Sequence, residues 1–81
     1  MTRVLVFPPD KDNPNYIAVI DRTYTIIIAP RGIGKTMESA LDDLIAKENR
    51  TMWRVIQNDF ITRETITPRL ASAYEIKEFA S

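Results

Sequence analysis

Three consecutive patterns between residues 23 and 47 constrain the fold of this chain most strongly. An apolar run over 23–28 leads into Ala-Pro-Arg-Gly-Ile-Gly-Lys-Thr over 29–36, and an amphipathic segment follows over 37–47. A glycine-bearing bend with a Lys-Thr pair between a strand and a helix is compatible with a phosphate-binding loop. It is equally compatible with a plain turn shaped by Gly32 and Gly34, followed by a helix that Thr36 caps.

The segment after Thr36 predicts a helix over about 36–48. Its apolar residues recur at the i, i+3, i+4, i+7 and i+8 spacing of one helical face, and these are Met37, Ala40, Leu41, Leu44 and Ile45. Acidic residues lie early in the segment and basic residues late, as the helix dipole favours. Asp43 and Lys47 are spaced for an i,i+4 ion pair.

Runs of β-branched and aromatic residues predict the strands. Val4–Phe7 reads as a short strand that two prolines end, because proline cannot donate a hydrogen bond to a sheet. Residues 16–20 and 24–28 are separated by three residues, which predicts a hairpin whose second strand is central in the sheet. Residues 52–57 predict a fourth strand.

The last quarter of the chain is less regular. Residues 60–66 are compatible with a strand or an irregular connection. Thr67-Pro68 places a capping residue before a proline at the first helical position, which predicts a C-terminal helix over about 67–79. The predicted fold is therefore α+β: one domain over 1–81, a three- or four-stranded, mainly antiparallel sheet, one packed helix and a C-terminal helix. The predicted core is Leu5, Phe7, Ile17, Val19, Ile26, Ile28, Leu41, Leu44, Ile45, Val55 and Leu70.

Composition excludes several classes of site. The 81 residues include no histidine and no cysteine, which removes His- or Cys-based catalysis, disulfides and Cys-based metal sites. Eleven basic and eleven acidic residues cancel, which disfavours a binder of nucleic acid or of anionic membranes. No segment has the roughly 20 apolar residues of a membrane span, and the N-terminal residues lack a signal-peptide layout. We expect a cytoplasmic protein that needs no metal or cofactor.

Residues 29–36 resemble the Walker A motif of P-loop nucleotide-binding proteins, with Ala29 in place of the first glycine. The resemblance implies four phosphate-binding residues, Gly32, Gly34, Lys35 and Thr36. Arg31 would complete the anion site, Thr36 would hold Mg²⁺, and Asp59 would be the acidic partner. A P-loop domain, however, needs a parallel sheet of about five strands with helices on both faces, which 81 residues do not hold. A phosphate-binding module is therefore the alternative to a structural turn, and no enzymatic activity is expected.

The pattern Gly32-x-Gly34-x-Thr36, followed by Ala40 and Leu44-Ile45, resembles the turn before the second helix of double-stranded-RNA-binding domains. It is also similar to the hairpin-to-helix turn of HicB-like antitoxin domains. Both resemblances imply a small β-β-β-α module and an RNA-binding or antitoxin-like function. Met37 and Glu38 stand where the RNA-binding family has phosphate-contacting lysines, which makes nucleic acid a less favoured partner.

The preferred function is binding to another protein. Trp53 between Arg50 and Arg54 is typical of an interaction hot spot, and Arg31 and Lys35 complete the candidate binding residues. In size and in the lack of a catalytic site, the chain is similar to small phage-encoded accessory proteins, including anti-CRISPR-type inhibitors. That resemblance implies an inhibitor of a host defence complex that acts in the host cytoplasm. An exposed sheet edge would also allow a homodimer.

Overall fold

A computed structural model describes residues 1–21 and 29–80 of the chain. The elements in these ranges, in chain order, are β1 (Thr2–Phe7), β2 (Tyr16–Ile20), β3 (Gly32–Gly34), α1 (Met37–Glu48), α2 (Met52–Gln57), β4 (Ile66–Leu70) and α3 (Ala73–Ala80). The predicted strand over 24–28 and its hairpin lie outside the described residues. No helix in the described ranges is both long and apolar enough to cross a bilayer.

The four strands form one sheet in the order β3-β2-β1-β4. Strand β2 pairs antiparallel with both β1 and β3, whereas β4 pairs parallel with β1, so the sheet is mixed. The predicted α+β class, with a small sheet, a packed helix and a C-terminal helix, is confirmed.

Helix α1 forms where its periodicity and cap predict it. The Thr36 side chain accepts a hydrogen bond from the Ser39 amide at 3.0 Å, and the Ser39 hydroxyl accepts one from the Thr36 amide at 3.1 Å. This reciprocal capping satisfies two amides that the first helical turn leaves without partners. The predicted Asp43–Lys47 ion pair is present at 2.8 Å.

The sheet separates two apolar clusters. Because successive side chains of a strand point to opposite faces, β1 supplies both clusters. The cluster on the α1 side contains Val4, Val6, Ala18, Ala40, Leu41, Leu44, Ile61 and Ile66. The cluster on the other side contains Leu5, Phe7 and Val19, with Ile17, Ala71 and Phe79 packed against it. Helix α3 closes this second side through the stacked rings of Phe7 and Phe79, whose centroids are 4.2 Å apart.

Five residues of the predicted core are buried: Leu5, Phe7, Val19, Leu41 and Leu44. Ile17 and Ile45 are half-buried and pack against the two clusters. The prediction was wrong for Val55 and Leu70, which are 54% and 56% exposed. Ile26 and Ile28 lie outside the described residues.

The predicted fourth strand over 52–57 is wrong, because these residues form helix α2. Asn58 ends the helix in the left-handed conformation, with φ 53° and ψ 39°. Asparagine adopts this conformation more readily than most residues, and it commonly ends helices. The residue that ends the segment, Asn58, therefore indicates the helix, whereas the β-branched residues within the segment do not.

The predicted start of the C-terminal helix at Thr67-Pro68 is also wrong, because both residues belong to β4. The Thr2 amide donates to the Thr65 carbonyl and the Ala71 amide to the Val6 carbonyl, so odd-numbered residues of β4 make the hydrogen bonds to β1. Pro68 therefore has its nitrogen on the outer edge of the sheet, where the missing N–H removes no bond of the β1–β4 ladder.

Candidate functional site

The bend predicted at Gly32 and Gly34 is instead the edge strand β3, in which Gly32 pairs with Ala18 and Gly34 with Tyr16. Successive amides of a strand point in alternate directions, whereas a phosphate-binding loop needs amides that converge. The Ile33 amide on this strand donates to Asp43 Oδ2 at 2.8 Å. The backbone of β3 is therefore engaged on both sides, in pairing with β2 and in the hydrogen bond to α1.

The two glycines let α1 approach β3 closely. A Cβ atom on Gly32 would lie 2.6 Å from the Leu44 Cβ and would also overlap the Ala40 carbonyl oxygen and the Leu44 amide. A Cβ atom on Gly34 would lie 2.6 Å from the Ala40 amide nitrogen. Neither glycine has a positive φ, so the requirement for glycine here comes from this close contact and not from backbone conformation.

The last two residues of the Walker-like segment lie at the start of α1. Lys35 and Thr36 are exposed, and the Thr36 hydroxyl is engaged in capping the helix. Asp59, the acidic partner implied by the resemblance, follows α2 beyond the far end of α1, a helix about 18 Å long at 1.5 Å per residue. Phosphate binding by this segment stays a prediction.

Arg31 lies between α1 and α3. Its carbonyl oxygen accepts a hydrogen bond from Lys47 Nζ at 2.9 Å, and its guanidinium lies 4.6 Å from the ring centroid of Phe79. Arg31 thus connects the two helices across the strand edge. A binding role for Arg31 and Lys35 stays a prediction.

The structure places Trp53 and Arg54 on helix α2, whose apolar side faces solvent, and Arg50 two residues before the helix. At 100° per residue, Met52, Trp53, Val55 and Ile56 fall within an arc of about 160°. These four side chains are 75%, 51%, 54% and 72% exposed, and Phe60 just beyond the helix is 45% exposed. We call Met52, Trp53, Val55, Ile56 and Phe60 the α2 patch.

Arg54 points away from this arc, is only 6% exposed, and fixes the orientation of α2. Its Nε donates to Glu48 Oε1 at 2.8 Å, and its Nη1 donates to the Asp59 carbonyl oxygen at 2.8 Å. Glu48, at the end of α1, is also buried. If α2 rolled to bury its apolar arc, the Glu48 carboxylate would lose its partner, a loss that typically costs about 3–5 kcal/mol. The ion pair therefore holds the α2 patch in solvent.

Further contacts fix the segments on either side of α2. The Asn49 side chain donates from Nδ2 to the Ile61 carbonyl oxygen and accepts from the Ile61 amide, both at 2.8 Å. The Thr51 hydroxyl donates to the Glu48 carbonyl oxygen at 2.7 Å. The Arg54 guanidinium lies 4.4 Å from the Trp53 ring centroid, a cation–π contact that orients the indole. The α2 patch is thus presented by a preformed local structure.

Arg50 borders α2 on its N-terminal side and is exposed, with its Nε donating to the Ala46 carbonyl oxygen at 3.1 Å. Asp59 borders α2 on its C-terminal side, with a side chain that is 63% exposed and an Oδ2 atom that lies 3.8 Å from Arg54 Nη1. One basic and one acidic group therefore lie beyond opposite ends of the apolar patch.

Arg3 lines two depressions of about 390 and 210 Å³, and Arg69 also lines the smaller one, which lies on the face of the sheet opposite α1. Glu75 accepts two hydrogen bonds from the Arg69 guanidinium, at 2.8 and 2.7 Å, and one from the Ser72 amide. These bonds, chiefly those from Arg69, lower the pKa of Glu75 to about 2. The charge of Arg69 is therefore balanced within the protein, which makes this face a weaker candidate for an anion site than its arginines suggest.

The acidic residues of α1 are used in ion pairs on its surface. Arg63 contacts the carboxylates of Glu38 and Asp42, and these contacts raise the pKa of Arg63. Hydrogen bonds from Lys47 and from the Ile33 amide lower the pKa of Asp43. Within residues 1–21 and 29–80 there is no group of three acidic side chains placed to hold a metal ion.

Sequence reasoning identified Trp53, Arg50 and Arg54 but not the apolar residues around them. Assigning 52–57 to a strand divided Met52, Val55 and Ile56 between two faces of a sheet, whereas a helix brings them onto one side. The signal available in the sequence was Asn58 as a helix terminator.

Comparisons with known proteins found no relative of the chain. No protein-family model matches it, and no curated protein or solved structure is significantly similar to it.

Proposed function

We propose that this chain is a non-enzymatic protein-binding module that docks on its partner through the α2 patch. The observation that supports the proposal is the orientation of α2, with its apolar arc in solvent and Arg54 in the interior. A helix on the surface of a globular protein normally directs its apolar stripe to the core. A contiguous apolar surface of this kind on a small domain marks an interaction site.

The patch suits a partner that offers an apolar groove for a short helix. Met52, Val55 and Ile56 have the i, i+3, i+4 spacing of residues that anchor a helix in such a groove. Trp53 adds a residue type that is enriched at interaction hot spots. Because the helix and the Trp53–Arg54 contact are already formed, docking would lose little conformational entropy.

We further propose an inhibitory role, in which the chain occupies a surface of a host defence complex. Inhibition by occupancy needs no catalytic group, which suits a chain without histidine or cysteine. The similarity to phage-encoded accessory proteins in size and in the lack of a catalytic site supports this class of partner. Bacterial lysates are therefore the first place to look for it.

The test compares affinity purifications from a bacterial lysate with the unchanged chain, Ile56→Asp and Tyr74→Asp. Ile56 and Tyr74 are each 72% exposed, but only Ile56 belongs to the α2 patch, so Tyr74→Asp is the matched control. We expect a protein that the unchanged chain and the control retain and that Ile56→Asp loses. Titration calorimetry with that purified protein should show binding at least about tenfold weaker for Ile56→Asp. Equal binding by all three chains would refute docking through α2.

A further inference from the structure

We infer that a second copy of this chain occupies the α2 patch, in a two-fold symmetric dimer whose α2 helices lie antiparallel. The inference rests on the proposed function, because both use the same surface: the two copies cover the α2 patch of each other and separate when either docks on another protein. A two-fold interface requires a patch that is complementary to itself. The residues bordering α2 meet that requirement.

The charges at the two ends of α2 are self-complementary. Arg50 lies two residues before the first residue of the helix, and Asp59 lies two residues after the last. In an antiparallel pair, Arg50 of each copy therefore approaches Asp59 of the other, and two opposite-charge contacts form. A parallel pair would instead place arginine against arginine and aspartate against aspartate. The formal net charge of zero adds no overall repulsion between copies.

The edges of the sheet are poorer sites for a second copy. On β4, the residue with its nitrogen at the middle of the outer edge is Pro68, which has no N–H to donate. On β3, the Ile33 amide is already donated to Asp43. Pairing between strands of two copies would therefore lack donors at both positions, whereas the α2 patch needs only apolar contact and the charges beside it.

The size of the patch sets the expected strength of the dimer. Helix α2 has six residues and is about 9 Å long, and four of its side chains with Phe60 supply the apolar contact. Stable interfaces bury about 1,600 Å² in total, and a contact of five side chains from each copy is expected to bury less than that. We therefore expect a reversible dimer with a dissociation constant on the order of 10 µM.

Sedimentation velocity of the purified chain between about 1 and 500 µM tests the inference. The unchanged chain and Tyr74→Asp should pass from monomer to dimer over this range, whereas Ile56→Asp should stay monomeric. Arg50→Asp and Asp59→Arg should each dimerise about tenfold more weakly. An equimolar mixture of these two variants should dimerise more tightly than either variant alone, because every contact between them joins opposite charges.

A disulfide experiment tests the antiparallel arrangement without placing a new charge near Arg54. The chain has no cysteine, so Arg50→Cys and Asp59→Cys each carry a single thiol. On oxidation, the mixture should form the 50–59 crosslink faster than either variant forms a crosslink to itself. Preferred 50–50 or 59–59 crosslinks would refute the antiparallel dimer.

The outcomes separate this inference from the proposed function. A monomer at every concentration would refute the dimer, but binding of another protein that Ile56→Asp abolishes would still stand. A dimer that Ile56→Asp leaves unchanged would place self-association elsewhere on the chain and refute the inference.

Discussion

Replacing Gly32 with alanine tests whether the glycines of β3 serve the packing of α1. The new Cβ atom would lie 2.6 Å from the Leu44 Cβ, whereas carbon atoms in contact are separated by about 3.5–4.0 Å. Relief requires α1 to move away from β3 by about 1 Å, which forfeits up to half of the attraction between the packed atoms. The overlap with backbone atoms of Ala40 and Leu44 leaves no side chain that could move aside instead. We expect a loss at the upper end of the overpacking range, about 3 kcal/mol.

The competing effect has the opposite sign and is smaller. Alanine restricts the unfolded chain and would stabilise the protein by about 0.4–1 kcal/mol if the site had room. Thermal unfolding followed by circular dichroism should therefore show a Tm lower by at least about 10 °C for Gly32→Ala. Lys35→Ala, three residues away and exposed, is the control and should change the Tm little. An unchanged or raised Tm for Gly32→Ala would refute the packing argument and reopen a ligand-binding role for the glycine.

Three further predictions concern the core and the ion pairs. Leu44→Ala, at a fully buried position, should lower the free energy of unfolding by about 2–5 kcal/mol in urea titrations, and a loss below 1 kcal/mol would contradict the assigned core. Glu48→Gln should cost about 1.5–3 kcal/mol, because it removes the nearer charged partner of the buried Arg54 and leaves only the Asp59 carboxylate at 3.8 Å, and a neutral result would contradict a stabilising role for the Glu48 charge. Glu75 has a folded-state pKa of about 2 against an ordinary value of 4.5, so its pairing with Arg69 stabilises the fold above about pH 4.5 and is lost as the pH falls toward 2. Thermal melts across that interval should depend less on pH for Glu75→Gln, and identical pH profiles would refute the linkage.

The sequence predicts the elements whose signals are local and mutually consistent. Helix α1 has an apolar stripe, a capping residue, an ordered charge distribution and an internal ion pair, and all of them indicate the same structure. Strands β1 and β2 follow from short β-branched runs bounded by prolines and turn residues. Thr36 could be identified as the cap because its side-chain partner is only three residues away.

The elements that the sequence missed depend on which of their side chains is buried or on their position at the edge of the sheet. Helix α2 is oriented by the burial of Arg54 against Glu48, and an apolar side left in solvent contradicts the usual pattern. Thr67-Pro68 has the pattern of a helix start, and nothing in the sequence shows that Pro68 lies on a sheet edge. The cap of α3 is Ser72, whose hydroxyl accepts from the Glu75 amide at 3.2 Å, and the Ser-x-x-Glu pattern of these residues was visible in the sequence.

The candidate site was predicted in part. Trp53 and its neighbouring arginines were recognisable from residue type alone, because tryptophan and arginine are frequent at interfaces. The exposure of Met52 and Ile56 was not, since exposure depends on which side of α2 faces the core. In the Walker-like segment the sequence indicates a site more strongly than the structure does. Its two glycines have the spacing of a phosphate-binding loop, but they allow the close contact of β3 with α1.

The buried pair of Glu48 and Arg54 places the stability of the fold in opposition to the exposure of the proposed binding surface. Exchanging both residues for apolar ones of similar volume would allow α2 to turn its apolar side toward the core. Replacing a buried ion pair in this way often leaves a protein equally or more stable. Selection for thermal resistance alone would therefore tend to erase the surface proposed for contact. Lineages that keep this charged pair would be those in which binding matters more than the last increments of stability.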